Sequence, residues 1–323
     1  MKRLSIILPI YNVEAYIKVG LESIFRQGLD DDAFEVILVN DGTPDNSIGV
    51  VDDIISQHQN IIVINQENQG VSIARNSGLN KSQGEYVFFM DPDDLLVDNA
   101  LSVLLKKVET SNVDILMADY RKFKDGEDSN QLRSIHQEDS DTLKTAEQAY
   151  LEDLNPYECF VWLMLFKRSF LINNKIEFKP FSWFEDTLFC QESFIKATTV
   201  LRTNLILYLY RKRAGSSTFS MSIKRIMDLN KCLAALNEIR YSNGLKPQIR
   251  KKLSDNMFIS LSFGLWYLIH DDELYAQRRT VISDLKKKIK PSSFIFRGSI
   301  KQIIISYAIR FFPYVYLRLR RVC

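Results

Sequence analysis

Over its first 120 residues the chain keeps switching between two hydrophobic periods, and this limits its fold more than any other feature. LSIILPI, FEVILVN, NIIVINQ, YVFFM and VDILMADY read as strands. Between them, VEAYIKVGLESIFRQ carries a helical stripe at Val13, Tyr16, Ile17, Leu21, Ile24 and Phe25, and ends at Gly28. DNSIGVVDDIISQH reads as a helix capped by Asp45 or Asn46, GVSIARNSGLNKS as a short helix closing near Gly84, and LVDNALSVLLKKVETS as a fourth. Strands alternating with helices in this way predict right-handed crossovers and an α/β fold with a mostly parallel central sheet covered on both faces.

Beyond residue 120 the alternation stops. Lys124 to Asp141 is polar, with six acids, and is expected to be a solvated excursion or linker. Helices are expected at Thr145 to Leu154 and Asp186 to Ala197, with a strand at Val200 to Tyr210 between the second of these and the final segment. From Ser222 onward only helices are expected, with a stop at Gly244 and a start at Pro247, so a boundary falls near residues 215 to 225.

Composition suits a packed enzyme, with 46% hydrophobic and 25% charged residues in a chain of 323. Cys159, Cys190, Cys232 and Cys323 have no paired spacing, and His58, His136 and His270 stand far apart, so neither a disulfide framework nor a zinc site is indicated. The start lacks the long apolar stretch of a secretion signal, and the chain is expected to face the cytosol.

Charge is unevenly distributed. Residues 286 to 323 hold ten basic side chains and no acid, which leaves 32 basic and 40 acidic residues in positions 1 to 285. A cationic tail on an acidic body calls for an anionic partner. Because KQIIISYAIRFFPYVYLRLRR mixes charge with large apolar residues, an anionic membrane surface is expected rather than nucleic acid. Packing on the protein itself or on a second copy, as a homodimer, is the alternative. Arg310 and Pro313 interrupt the apolar run, so the tail is not read as spanning a bilayer.

Polar residues gather where the strands end: Pro9, Tyr11 and Asn12 after the first, NDGTPDNS after the second, NQENQG after the third and DPDD after the fourth. In open α/β sheets that edge is the binding crevice. Asp91, Asp93 and Asp94 crowd three carboxylates into four residues, which is costly unless a cation neutralises them or a proton is shared. Oxygen-only ligands favour a hard ion, Mg2+ or Mn2+, completed by phosphate oxygens of a nucleotide diphosphate. Asp93 is read as a metal ligand, Asp91 as a metal or ribose contact, and Asp94 as a helix cap or a further acid.

Together SIILPIYNVEAYI, LVNDGTPDNS, NQGVSIARNSGL and FFMDPDD resemble the family 2 glycosyltransferases of GT-A fold, inverting enzymes of bacterial surface-polysaccharide synthesis. The resemblance is dense over residues 1 to 120 and looser over 157 to 218. It implies a catalytic domain over residues 1–220, with a nucleotide-sugar half at 1–120 and an acceptor half at 121–220, followed by a helical region at 221–323. By the same resemblance, Asp41 holds the uracil and ribose of a UDP-sugar, Pro9 and Tyr11 line the base, and Arg75 lies near the base or diphosphate. Asn40 and Thr43 depart from the family's aspartate and serine. For Arg75 the alternative is a buried ion pair joining helix to sheet.

The resemblance also supplies a carboxylate base, from Glu185 and Asp186 in FSWFEDTLFCQESF. Asp186 is expected to be the base and Glu185 to position the acceptor, the alternative being that Asp186 only caps its helix. Phe181, Trp183 and Phe184 stand just ahead, suited to desolvating the acids and stacking on a sugar. YLYRKRAGSST, with Arg211, Arg213, Ser216 and Ser217, resembles the family's segment that closes on the diphosphate. The resulting expectation is a metal-assisted transferase, peripheral on the cytoplasmic face of the membrane, acting on a glycan or lipid-linked acceptor. A sugar nucleotidyltransferase is the runner-up, although PIYNVEAYI lacks its Gly-rich phosphate loop. A non-catalytic glycan-binding or scaffold protein is the reading from another class. The absence of G-x-G-x-x-G argues against a dehydrogenase.

Overall fold

Strand β1, Leu4–Ile10, is buried at every position, as a strand must be when it has neighbours on both sides and helices on both faces. It runs parallel to β2 (Phe34–Asp41), with Leu4 opposite Phe34, and to β4 (Tyr86–Phe89), with Leu4 opposite Tyr86. β3 (Ile61–Gln66) extends the parallel set beyond β2. In this computed structural model the described residues are 2–128, 132–133, 140–213, 221–289, 311, 313–314 and 317.

The remaining strands are β5 (Leu95–Leu96), β6 (Ile115–Lys124), β7 (Asp141–Thr145), β8 (Met164–Lys167) and β9 (Thr199–Lys212), and the sheet order is β3-β2-β1-β4-β8-β6-β9-β5, with β7 on β9. Parallel pairing makes up most of the register. Its antiparallel members are β8 against β4 and β6, and β9 against β5 and β7. The expected α/β fold with a mostly parallel sheet is therefore present.

The first four helices are α1 (Ile17–Ile24), α2 (Asp52–Gln57), α3 (Val71–Lys81) and α4 (Ala100–Ser111). They are followed by α5 (Ala146–Glu152), α6 (Arg168–Asn173) and α7 (Glu185–Lys196). Helix α3 lies close on β1 because residue 78 is glycine: a Cβ there would sit 2.3 Å from Ile7 Cγ2.

Local differences from expectation have physical causes. The second predicted helix shrinks to a 3-10 turn, Gly49–Val51, and the short α2. Asp45 is engaged elsewhere: its carboxylate accepts from the Thr43 and Ser47 hydroxyls at 2.5 Å each and from Glu14 N at 2.9 Å. Helix α4 starts at Ala100, after Asn99 in the left-handed region (φ 61°), because Leu95 and Leu96 pair with β9 as β5. Asp94 therefore precedes a strand and caps no helix. The polar excursion is partly strand, since β6 runs on to Lys124 and β7 begins at Asp141; most of residues 129–139 lie outside the described set. Strand β8 and helix α6 had no sequence expectation.

The chain divides into two compact units, the first comprising Met1–Asp153, Phe160–Pro180 and Ser193–Ser216, and the second Leu154–Cys159, Phe181–Glu192 and Ser217–Cys323. In the second, α8 (Ile223–Arg240), α9 (Pro247–His270), α10 (Asp272–Ala276) and α11 (Arg278–Lys288) follow Ser222. Leu229, Leu233 and Leu236 of α8 and Leu253, Met257 and Leu261 of α9 are buried there. Gly264 lets α8 and α9 close, since a Cβ would fall 2.4 Å from Leu229 Cδ2. Asn230 Nδ2 ties α8 to α11 by donating to Val281 O and Asp284 Oδ2, at 3.1 and 2.9 Å. Gln277 separates α10 from α11. No helix among the described residues is long and apolar enough to cross a membrane.

Burial pushes the Asp45 carboxyl up, but its four hydrogen bonds outweigh this and hold it at about 2, below its ordinary 3.8. A depressed pKa contributes stability above about pH 3.8 that is lost as pH falls through the folded value. Asp45→Asn is expected to cost about 1 kcal/mol at pH 7 after allowance for solvent screening. The difference from wild type should shrink between pH 4 and 2 in denaturant titrations; a gap that persists undiminished at pH 2 contradicts this origin.

Candidate active site

The carboxyl ends of β1, β2, β3 and β4 converge within the first unit. Asp41 is the last residue of β2, opposite Gln66 at the end of β3. Its carboxylate is almost fully buried and accepts from Gln66 Nε2 at 2.7 Å, Gln69 N at 2.9 Å and Gly70 N at 2.8 Å. Ser77 orients Gln66 by donating to its Oε1 at 2.7 Å. Asp41 thus satisfies amides at the start of α3, where orphan N–H groups and the helix dipole favour an anion. Pro9 is buried in β1, and Tyr11 is 49% exposed at the same edge. Thr43 Oγ1 accepts from Asn12 N at 2.8 Å, and Asn40 Oδ1 accepts from Thr43 N at 3.0 Å, so both departures from the family pattern hold the loop.

Arg75 of α3 is buried and donates to Asp91 Oδ1 at 2.9 Å, with its guanidinium 5.2 Å from the Phe178 ring centre. Phe178 is held by Asn76, which exchanges two hydrogen bonds with its backbone at 2.8 and 2.9 Å. The buried ion pair considered from the sequence is therefore formed, at the strand end where the diphosphate role would be exercised.

The antiparallel register of β5 on β9, Leu95 opposite Leu209, draws the end of β9 alongside the DPDD turn. Arg213 Nε donates to Asp93 Oδ2 at 2.8 Å, and Arg211 Nε to Asp93 O at 2.8 Å. Arg211 N donates to Asp94 Oδ1 at 2.6 Å, and Arg211 Nη1 to Asp125 Oδ1 at 2.9 Å. Both guanidinium groups lie over Tyr16, and that of Arg211 also over Phe123. Both arginines expected near the diphosphate thus meet the acidic turn. Ser216 and Ser217 lie outside the described residues.

Burial makes the acids of the turn hard to ionise despite their arginine partners. Burial, and then the nearby Asp91, raise the Asp93 carboxyl, and Arg213 offsets part of this. Asp94 is raised well above the ordinary range by burial and by Asp93 and Asp91. Tyr208 is buried beneath, accepting from Asp91 N at 3.1 Å, and its phenol is raised by burial and by Asp94. Two neighbouring carboxylates that raise proton affinity in this way suit a hard divalent ion. Among the described residues no three His, Cys, Asp or Glu side chains are grouped to chelate one. The residues therefore fit an ion held by one or two carboxylates whose other ligands come from elsewhere.

Glu185 and Asp186 open α7 and belong to the second unit. Glu185 is buried and Asp186 half-buried, just after Phe184 at φ 67°. Two thiols lie behind them. Burial, and then Asp186, push Cys159 up to about 12, while burial, Cys159 and Glu185 raise Cys232. Trp183 lies under the Arg225 guanidinium at 5.2 Å, and Phe184 packs edge-on against Phe263. Phe181 is buried.

Sequence reading missed Tyr208, Tyr16, Asn76, Phe178 and Asp125. Tyr208 alone carried a local signal, a phenol inside a buried strand that must find a hydrogen-bond partner.

A model of the family described as glycosyl transferase family 2 matches residues 5–172. The chain is 32% identical over 218 residues to the uncharacterized glycosyltransferase EpsJ of Bacillus subtilis, covering 66% of this chain but only 62% of EpsJ. It is 29% identical over 244 residues to the poly(ribitol-phosphate) β-N-acetylglucosaminyltransferase TarP of Staphylococcus aureus, covering 74% and 71%. Its fold is that of S. aureus TarS residues 1–349 in complex with UDP-GlcNAc, with TM-score 0.77 at 20% identity over 98% and 90% of the chains. The mannosyltransferase PcManGT of Pyrobaculum calidifontis, in complex with GDP-Man and Mn2+, is also similar, with TM-score 0.61 at 17% identity over 100% and 84%.

Helix α1 supports the acidic turn through Gly20, where a Cβ would lie 2.6 Å from the Pro92 carbonyl oxygen and 3.0 Å from that of Asp94. Both are backbone atoms with little room to yield. Gly20→Ala is expected to lower stability by about 1–3 kcal/mol; urea titration showing no loss would mean that the turn is not clamped by α1.

Proposed function

Since the chain belongs to glycosyl transferase family 2 and has the GT-A fold, we propose that it is an inverting transferase that moves a sugar from a UDP-sugar onto a glycan or lipid-linked acceptor of a bacterial cell-surface polysaccharide. The observation that carries this reading is the meeting of Asp91 and Asp93 with Arg75, Arg211 and Arg213 at the carboxyl edge of the sheet. That mixture of charges suits a diphosphate bound with a cation. UDP-GlcNAc in the TarS complex and the β-N-acetylglucosaminyl activity named for TarP support the donor class and the glycan acceptor.

Pro9 and Tyr11 line the base, and Asp41 keeps the second loop on the start of α3, beside the uracil and ribose. Asp93 and Asp91 would hold Mn2+ or Mg2+; when bound, such an ion neutralises charge on the departing diphosphate. Forked arginine donors recognise the phosphate oxygens from the opposite charge side, with Arg75 and Arg211 nearest to that task. Asp186 takes the proton of the acceptor hydroxyl as that oxygen attacks the anomeric carbon opposite the leaving group, and Glu185 positions the acceptor. Mn2+ in the PcManGT complex supports the metal assignment.

Calorimetry with UDP is expected to give binding that needs Mn2+ and disappears in Asp93→Ala; no UDP binding under either condition overturns the donor reading. Asp186→Asn should slow transfer about 10²- to 10⁴-fold with UDP affinity unchanged; an unchanged rate removes Asp186 from the role of base.

We also propose that the protein works at the cytoplasmic face of the membrane, held by residues 286–323. Of these, Lys286, Lys287 and Lys288 end α11, and the tail from residue 290 lies almost wholly outside the described residues. Deleting Ser299 to Cys323 is expected to abolish binding to vesicles containing anionic lipid while leaving donor hydrolysis intact. Vesicle binding that survives the deletion overturns membrane attachment through residues 299–323, leaving that segment to pack on the protein itself or on a second copy of the chain.

A further inference from the structure

The acids that open α7 follow a segment whose conformation local preferences do not explain. Phe184 stands at φ 67°, a region that a bulky side chain adopts only when its surroundings impose it. Within the second unit those surroundings come from α8 and α9. Asp228 of α8, almost fully buried, accepts from both Ser182 N at 2.8 Å and Ser182 Oγ at 2.5 Å through one oxygen, while its other oxygen pairs with Lys231 at 2.7 Å. One helical turn earlier, Arg225 covers the Trp183 ring. Phe263 of α9 packs against both Trp183 and Phe184. Burial works against charge on Asp228, yet hydrogen bonds from Lys231 and Ser182 keep its carboxyl below the ordinary value.

We infer that Asp228 is a positioning residue for the transfer reaction: by holding Ser182 it fixes the turn through Phe184 and so sets the direction in which Glu185 and Asp186 project from α7. The inference rests on the reading of Asp186 as the base. A carboxylate clamped on the two hydrogen-bonding groups of a single serine, four residues before the proposed base, has little to stabilise other than that turn. Proton transfer tolerates little misplacement, and a shift of about 1 Å can cost about 10²-fold in rate.

The test uses the full chain with UDP-N-acetylglucosamine, Mn2+ and water as acceptor, following UDP release, together with UDP calorimetry and hydrogen exchange of the 181–186 segment. Asp228→Ala is expected to lower kcat about 10- to 100-fold, with donor KM and UDP affinity unchanged and faster exchange in the segment. Asp228→Asn, which keeps an oxygen to accept from Ser182, should recover the rate to within about threefold of wild type. Ser182→Ala removes one of the two bonds without touching α8. It should lower kcat about three- to tenfold, and it keeps the question open to experiment should Asp228→Ala lose its fold. Wild-type kcat in Ser182→Ala and Asp228→Ala overturns the inference, as does a loss of UDP affinity matching the loss of rate, which would mark a general structural role. Asp186→Asn run in parallel separates the two failures. If it keeps the full rate, the base assignment is wrong; if it is inactive while the Asp228 variants are not, only the positioning role falls.

Discussion

Charge balance around the DPDD turn is the constraint on which the rest of the first unit depends. Asp91, Asp93 and Asp94 sit at the end of a fully buried strand, with Asp94 itself buried and the other two only partly open to water. Arg75 from α3 and Arg213 at the end of β9 pair with Asp91 and Asp93, while the backbone amide of Arg211 donates to Asp94. Each pairing requires its element to be in register. α3 must lie close on β1, which Gly78 permits, and β9 must pair with β5. Gly20 of α1 closes the turn from the other side. The acidic turn thus records the packing of four separate elements, and an error in any of them would leave a buried charge without compensation.

The second loop is organised by the same logic of satisfied polar groups. Asp41 uses both oxygens on backbone amides at the start of α3 and on Gln66. Asp45 gathers two hydroxyls and two amides, and with Thr43 and Ser47 it links this loop to residues 12–14 after β1. Two strand ends are thereby locked together before any ligand arrives, which reduces the ordering a nucleotide must impose.

In the helical unit the strained segment ahead of α7 has a similar origin. A left-handed phenylalanine persists because a buried carboxylate, a guanidinium and an aromatic ring hold its neighbours. The two thiols behind the acids, Cys159 and Cys232, are kept protonated by burial and serve as small apolar packing.

Much of this was legible along the chain. The strands β1 to β4, the edge where polar residues collect, and the crowding of Asp91, Asp93 and Asp94 follow from hydrophobic period and from adjacency in sequence, which act over a few residues and need no partner. What the sequence left open concerned partners. Arg75 had two readings that spacing could not separate, and the structure forms its ion pair with Asp91. Asp94, a candidate cap for α4, binds the Arg211 amide because β5 intervenes. Asp45 left its predicted helix for a loop. Strand β8, inserted antiparallel between β4 and β6, has too short an apolar run to be told from a helix. The sequence by itself thus determined the α/β class and where acidic chemistry collects, since both are written in local periodicity. Tertiary structure decided which arginines face which acids and how the segment before α7 is held, because pairings between residues 16 to 120 positions apart depend on strand register and helix packing.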